Sequence, residues 1–324
     1  MDLTVTFPVS GVTTWVFLPP LVAFAVSFFA SMGGVSGAFL LLPFQVSFLH
    51  FATPSVSSTN FVYNIVAIPS GVYRYIHEKR MVWPLAWTII AGTLPGVFLG
   101  YYIRVLYLPN PGAFKLFVGC VLLYVGARLL SEVAKTSGWG RAPIQTPGFG
   151  NSEQNKTHGM ERARLVHSNY RSDAIVKTVS CSSNMVEYEF CGQKFSFGKT
   201  KLLALAFVVG IIGGAYGIGG GSIIAPFCVA FFGLPVYTVA GATLLGTFLT
   251  SIAGVSFYSL MPAKAGISTL PDWPMGILFG LGGLLGMYCG ARLQRFVPQR
   301  PIKAMLGLML LFLAFSYILE IFVG

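Results

Sequence analysis

The sequence predicts an all-α integral membrane protein made of two inverted repeats of about five segments each, with a small extramembrane β-hairpin between them. Three observations carry that reading. Of the 324 residues, 55% are hydrophobic and only 10% are charged, against about 25% charged in a soluble globular chain. A glycine-broken apolar stretch occurs twice, as SMGGVSGAFLLLPF from Ser31 to Phe44 and as GAYGIGGGSIIAPF from Gly214 to Phe227. Gly34 matches Gly217, Gly37 matches Gly220, Pro43 matches Pro226 and Phe44 matches Phe227, every pair 183 residues apart. The heavy basic loop follows the third run in the first half and the fourth run in the second, which is the swap that an odd number of segments per repeat produces.

Taken in order, residues 1–14 read as a leader whose side-chain charge is Asp2 alone, without the charged n-region and cleavage site of a signal peptide. The first membrane repeat spans residues 15–131. Its first run goes from Trp15 to about Ala30, and its second, Ala38 to Phe51, is too short to cross alone, since a crossing takes about 20 apolar residues. Together they read as a re-entrant or broken pair. The third run, Val56 to Tyr75, carries Ser57, Ser58, Asn60 and Asn64 on one side at helical spacing. Clearer spans follow at Trp83 to Arg104 and Phe114 to Leu130, joined by a Pro-Asn-Pro-Gly turn at Pro109 to Gly112.

Residues 132–199 form a linker expected on the cytoplasmic side. From Glu132 to Lys201 there are ten Lys or Arg against six Asp or Glu. Its last part, Val186 to Phe197, alternates as a β-hairpin around Gly192-Gln193. The part before it reads equally as a disordered connector, and the linker is where a soluble partner would bind. The second membrane repeat, residues 200–324, has runs at Leu202 to Tyr216, Ser222 to Phe232, Tyr237 to Leu260, Trp273 to Arg292 and Lys303 to Phe322. Gly71 pairs with Gly254 at the offset of 183, while Gly96 with Gly286 and Gly100 with Gly290 pair at 190. Both chain ends are expected on the extracytoplasmic side.

The net charge of +11 sits in loops between apolar runs, where it orients the chain in a bilayer and does not indicate nucleic acid. Cys120, Cys181, Cys191, Cys228 and Cys289 form no CxxC pair, so neither a disulfide framework nor a metal site is indicated. No cofactor and no catalytic residue is assigned. A membrane enzyme acting through Cys228 would lack a neighbouring base or metal to activate the thiol. The segments hold no central Asp or Glu for proton coupling, and Arg74 and Arg104, at segment ends, are expected to snorkel to the surface.

Two glycine breaks at membrane depth are tolerable only where they are packed in protein or line a polar cavity. The N-terminus of each half-helix offers unpaired N–H groups and partial positive charge, which suits an anion. Candidate binding residues are therefore Gly34, Ser36 and Gly37 at the first break, and Tyr216, Gly217, Gly219, Gly220, Gly221 and Ser222 at the second. Asn60 and Asn64, with Thr243 and Thr247 aligned to them in the second repeat, complete the set, and Gln45 is a weaker candidate. Simpler roles stand beside these: glycines as close-packing surfaces, Ser, Thr and Asn as interhelical glue, and Tyr216 as a packed aromatic.

The doubled GxxG before an apolar run and proline (Gly34 to Gly37, Gly217 to Gly220), the polar third segment and the fourth segment opening with Trp83-Pro84 and Trp273-Pro274 resemble the TauE/SafE group, the 4-toluene sulfonate uptake permease (TSUP) family. The likeness covers the chain outside the linker, which is longer than in a typical member. The resemblance implies a multi-pass carrier of the bacterial inner membrane for sulfite, thiosulfate, organosulfonates or other small sulfur-containing anions, working by alternating access. A channel-like anion pore is the alternative.

Overall fold

In lipid a helix satisfies its own backbone, so helix ends fall where glycine or proline prevents continuation. The computed structural model describes residues 3–32, 36–135, 175–182, 184–190, 192–261, 268–293 and 299–323. Among them are ten helices: α1 (Leu18–Met32), α2 (Ala38–Ser47), α3 (Ser55–His77), α4 (Trp83–Leu106), α5 (Pro111–Lys135), α6 (Lys199–Tyr216), α7 (Gly220–Phe232), α8 (Val236–Leu260), α9 (Trp273–Leu293) and α10 (Gln299–Val323). Five of these helices are long and apolar enough to cross a membrane, in α4, α5, α6, α8 and α9. α1, α2 and α7, with 15, 10 and 13 residues, are the short members that flank the two breaks.

Helices pack in a pattern that survives exchange of the two halves. α1 lies against α9 as α6 lies against α4, α3 against α9 as α8 against α4, and α2 against α3 as α7 against α8. The third helices meet each other, and so do the fifth helices, α5 and α10. Glycines make the two tightest of these contacts. Gly92, Gly96 and Gly100 of α4 face the backbone of α6, where a Cβ on Gly96 would fall 2.8 Å from Ile211 N. Gly282, Gly286 and Gly290 of α9 do the same against α1, a Cβ on Gly286 falling 2.9 Å from the Phe24 carbonyl carbon. Small residues every fourth position let helix backbones approach without a hydrophobic drive between them.

Each run of five helices is preceded by a β-hairpin, and the first hairpin is an addition to the sequence reading. The sequence reading assigns residues 1–14 no secondary structure, and here β1 (Thr4–Thr6) pairs antiparallel with β2 (Thr13–Trp15). The loop between them grips the N-cap of α9: Ser10 N and Ser10 Oγ donate to Asp272 Oδ2 at 2.9 and 2.8 Å, and Val9 N at 3.3 Å. Asp272 N in turn donates to Thr59 Oγ1 at 2.9 Å, and Met275 N reaches Asp272 Oδ1 at 3.4 Å. Asp272 is fully buried, and these donors are what make a buried carboxylate tolerable.

The second hairpin is present where the alternation placed it, as β4 (Met185–Phe190) and β5 (Gln193–Gly198), with Phe190 opposite Gln193. A further edge strand, β3 (Lys177–Cys181), extends it to a three-stranded sheet. Val186, Tyr188, Phe190 and Phe197 are buried against the helices. Tyr188 Oη and Thr238 Oγ1 share a hydrogen bond of 2.9 Å, and Val176 N donates to Lys79 O at 3.0 Å, so the sheet is fixed to both halves. Burial pushes the Tyr188 phenol up, which keeps it a neutral hydrogen-bonding group.

The α1–α9 contact predicts a sharp contrast between two glycines. In detergent, Gly286→Ala is expected to lower the thermal unfolding midpoint, by an overpacking cost of about 1–3 kcal/mol. Gly112→Ala meets nothing within 4 Å and is expected to leave the midpoint unchanged. Equal midpoints for the two variants would show that the helices have room to separate.

Candidate functional site

Proline chemistry starts the site. Pro43 inside α2 has no N–H, so the carbonyl of Phe39, four residues earlier, is left without its helical partner. Tyr216, the last residue of α6, donates its Oη to that carbonyl at 3.2 Å, and its ring stacks on Phe39 with centroids 5.7 Å apart. The first-repeat break is thereby tied to the second. A second tie runs through Asn64 of α3. Ser36 Oγ donates to Asn64 Oδ1 at 2.7 Å, and Asn64 Nδ2 donates to Ile218 O at 3.1 Å. Tyr216 and Asn64 thus hold α2 and Ser36 against the end of α6 in the interior.

At the second break the chain needs glycine. Gly217 caps α6 at φ 87° and Gly219 precedes α7 at φ 76°, both in the left-handed half of backbone space that side chains disfavour. The N–H groups of Gly217, Ile218 and Gly219 all return to Gly213 O. Those of Gly220, Gly221 and Ser222, in the first turn of α7, have no intrahelical acceptor. At the first break the N–H groups that follow Gly37 are bonded within the chain. Ala38 N donates to Ser36 Oγ at 3.3 Å and Phe39 N to Ser36 O at 3.3 Å, so Ser36, one residue before the N-cap Gly37, takes up the first N–H groups of α2. Gly34 lies outside the described residues.

Close packing surrounds the glycines. A Cβ on Gly217 would fall 2.6 Å from Ser57 O, one on Gly219 2.9 Å from Thr247 Cγ2, and one on Gly220 2.5 Å from Thr93 Cγ2. Gly221 sits against Thr243 O and Thr247, and Gly37 against Ser27 Oγ and Tyr63 Oη. The packing role of these glycines is therefore a finding in its own right. Ser222 Oγ donates to Ile218 O at 3.2 Å and lies 3.4 Å from Thr247 Oγ1. Thr243 and Thr247 turn their hydroxyl protons back onto their own helix, to Ala240 O and Thr243 O.

The polar face of α3 divides in two. Ser58 points away from the breaks, donating to Thr269 O at 2.8 Å. Ser57 Oγ donates to Ala215 O at 3.2 Å and is within 3.4 Å of Tyr216 O. Asn60, one turn on from Ser57 and one turn before Asn64, is fully buried, and neither its Oδ1 nor its Nδ2 has a partner. Gln45 of α2 and Ser251 of α8 are buried with unpartnered side-chain atoms as well. Buried amides without partners are rare and costly, and each calls for an explanation.

Two side chains at this site differ from or escape the sequence reading. Arg104 does not snorkel: it is fully buried, with Nε 3.4 Å from Ser57 Oγ, because the carbonyls of Ala52 and Leu108 and the face of Phe114 offer an interior place for its guanidinium. Arg74 is held at its helix end by Glu78 at 2.9 Å. Tyr258 of α8, a residue with no motif to mark it, donates to Gly214 O at 3.1 Å and helps close the end of α6. Cys228 is fully buried in α7.

Five apolar helices of crossing length, packed around internally bonded helix ends, are the build of a multi-pass membrane protein. The pattern of the family described as "Sulfite exporter TauE/SafE" matches residues 20–317, and the chain belongs to that family. It is 23% identical over 298 residues to the probable membrane transporter protein YunE of Bacillus subtilis (strain 168), covering 90% of this chain and 92% of that one. A probable membrane transporter protein of Methanocaldococcus jannaschii is 30% identical over 116 residues, 34% of this chain and 41% of that one. No solved structure matches.

The Asn64 bridge makes a prediction about stability. Asn64→Ala leaves Ile218 O with the Ser222 hydroxyl alone and takes the acceptor from the Ser36 hydroxyl proton, and is expected to cost about 1–3 kcal/mol. Ser36→Ala, which leaves the Asn64–Ile218 bond in place, is expected to cost less. Thermal or denaturant unfolding of the purified variants checks the order, and a milder effect for Asn64→Ala would show that the bridge does not hold the breaks together.

Proposed function

We propose that this chain is a secondary transporter of small sulfur-containing oxyanions, such as sulfite, thiosulfate or an organosulfonate, which bind between the two glycine breaks. The observation that carries the reading is Asn60: a buried amide with both of its atoms unpartnered, flanked on one helix face by Ser57 and Asn64, each bonded to the second break. An oxyanion accepts from the Asn60 Nδ2 and from the first-turn N–H groups of α7, donors that replace its hydration and still release it. The family name supports a sulfur oxyanion as cargo.

The exchange-symmetric packing of the two five-helix halves supports two inverted-topology repeats around the site. With the basic loop at Arg74, Lys79 and Arg80 on the cytoplasmic side, both chain ends lie outside the inner membrane and the β3–β5 sheet inside the cell. Phe39–Tyr216 and Ser36–Asn64 contacts close the centre in this conformation, and a solute enters when one half rocks against the other and parts them. That motion is alternating access.

Asn60→Leu provides the test. It keeps the branched outline of four heavy atoms and removes two unsatisfied polar atoms, so the folded protein is expected to be about as stable as wild type. Uptake of labelled sulfite or thiosulfate into proteoliposomes is expected to fall by about tenfold or more, an amount equal to about 1.4 kcal/mol of binding. Full uptake by a stable Asn60→Leu protein would remove Asn60 from the site. Gly220→Leu is the poorer test, because its side chain would meet Thr93 and disturb the fold.

A further inference from the structure

Arg104 is one of two fully buried ionisable side chains among the described residues that carry a full charge in their ordinary state; the other, Asp272, is matched by the donors of Ser10, Val9 and Met275. Arg104 has no such match. Its Nε donates to Ser57 Oγ at 3.4 Å, its Nη2 to Ala52 O at 2.9 Å and its Nη1 to Leu108 O, and the guanidinium lies 3.5 Å over the Phe114 ring. Every one of these partners is neutral. The ion pairs among the described residues join Arg74 and Arg80 to Glu78, and none reaches Arg104. A guanidinium has five N–H donors. Each terminal nitrogen uses one of its two, so two N–H bonds of a buried cation are left over.

Such an arrangement is expensive, since a buried charge without a counter-ion forfeits hydration and gains little in return. An arginine near the end of a membrane helix has a cheaper option, which is to extend to the headgroups. This one instead turns inward toward Ser57, whose hydroxyl also contacts the carbonyls of Ala215 and Tyr216 just before Gly217. One turn further along the same helix face stands the unpartnered Asn60. Ser57, which the guanidinium touches, and the unpartnered Asn60 are thus successive residues of one face of α3.

We infer that Arg104 is the charged element of the anion site, the side chain that supplies the counter-ion for a ligand presenting two or more oxygens on one sulfur. The inference rests on the transport reading above and adds to it the residue that sets charge preference. The planar N–H pairs of guanidinium match two oxygens of a sulfite, thiosulfate or sulfonate group, whereas Asn60 is a neutral donor. A divalent anion therefore gains more from Arg104 than a monovalent one of similar shape.

The test uses the full-length protein in detergent, with its thermal midpoint titrated against thiosulfate, divalent, and methanesulfonate, monovalent. Arg104→Gln is expected to raise the apparent Kd for thiosulfate by about tenfold or more and that for methanesulfonate by clearly less, with Arg104→Lys between wild type and Arg104→Gln. A lower anion-free midpoint with wild-type Kd for both anions would make Arg104 a purely structural clamp and overturn the inference. Where Arg104→Gln does not fold, Ser57→Asp takes its place: a carboxylate beside the guanidinium is expected to abolish the thiosulfate response, and wild-type thiosulfate affinity in that variant overturns the inference equally. Absence of any shift in the wild-type protein with either anion sinks the anion reading and Arg104 with it, whereas a shift that survives in Arg104→Gln removes Arg104 alone.

Discussion

A carbonyl exposed inside a bilayer has no water to bond with, and the interior of this chain is arranged around that restriction. The end of α6 shows it residue by residue. Gly214 O takes the hydroxyl of Tyr258, Ala215 O that of Ser57, and Ile218 O the amide of Asn64, each donor coming from a different place in the fold than the helix it closes. The carbonyl that Pro43 frees in α2 is closed by Tyr216 in the same way. Breaking two helices thus obliges α3 and α8 to lie alongside them, and the breaks become neighbours as a consequence.

Glycine does two jobs here that composition alone does not separate. Along α4 and α9 it is a spacing device, letting α6 and α1 approach backbone to backbone. At Gly217 and Gly219 it is a conformational requirement, set by positive φ, and close packing against Ser57 and Thr247 comes with it. The two functions coincide at the second break, so a substitution there tests the fold before it tests binding. Asn60 separates them, since its side chain contributes no hydrogen bond to the protein.

The two halves share a packing pattern and differ in chemistry. Asn60 and Asn64 align with Thr243 and Thr247, yet the asparagines reach across to the other half or stay unpartnered while the threonines bond within α8. A hydroxyl on a helix can satisfy itself on the preceding turn, as both threonines do, and neither asparagine bonds in that way here. Polar capacity is therefore concentrated on the first repeat's third helix, and Arg104 joins it there.

Much of the architecture was legible without coordinates, because its signals are local. Apolar runs, glycine breaks, matched prolines and the alternation from Val186 to Phe197 each follow from a period or a spacing, and α1 to α10 begin and end close to where those patterns change. The two short strands β1 and β2, three residues each, are too brief to show a period, and β3 has all five residues exposed, so no inward face marked it. Arg104 shows most plainly what tertiary structure alone decided. A cation two residues from a helix end reads as a headgroup ligand until the loops carrying Ala52 and Leu108 and the ring of Phe114 fold over it, and no feature of its own segment records that they do. Local sequence determined which segments cross or break, since that depends on neighbours along the chain; which buried groups are left without partners depends on contacts between residues far apart in it, and those exist only once the two halves have packed.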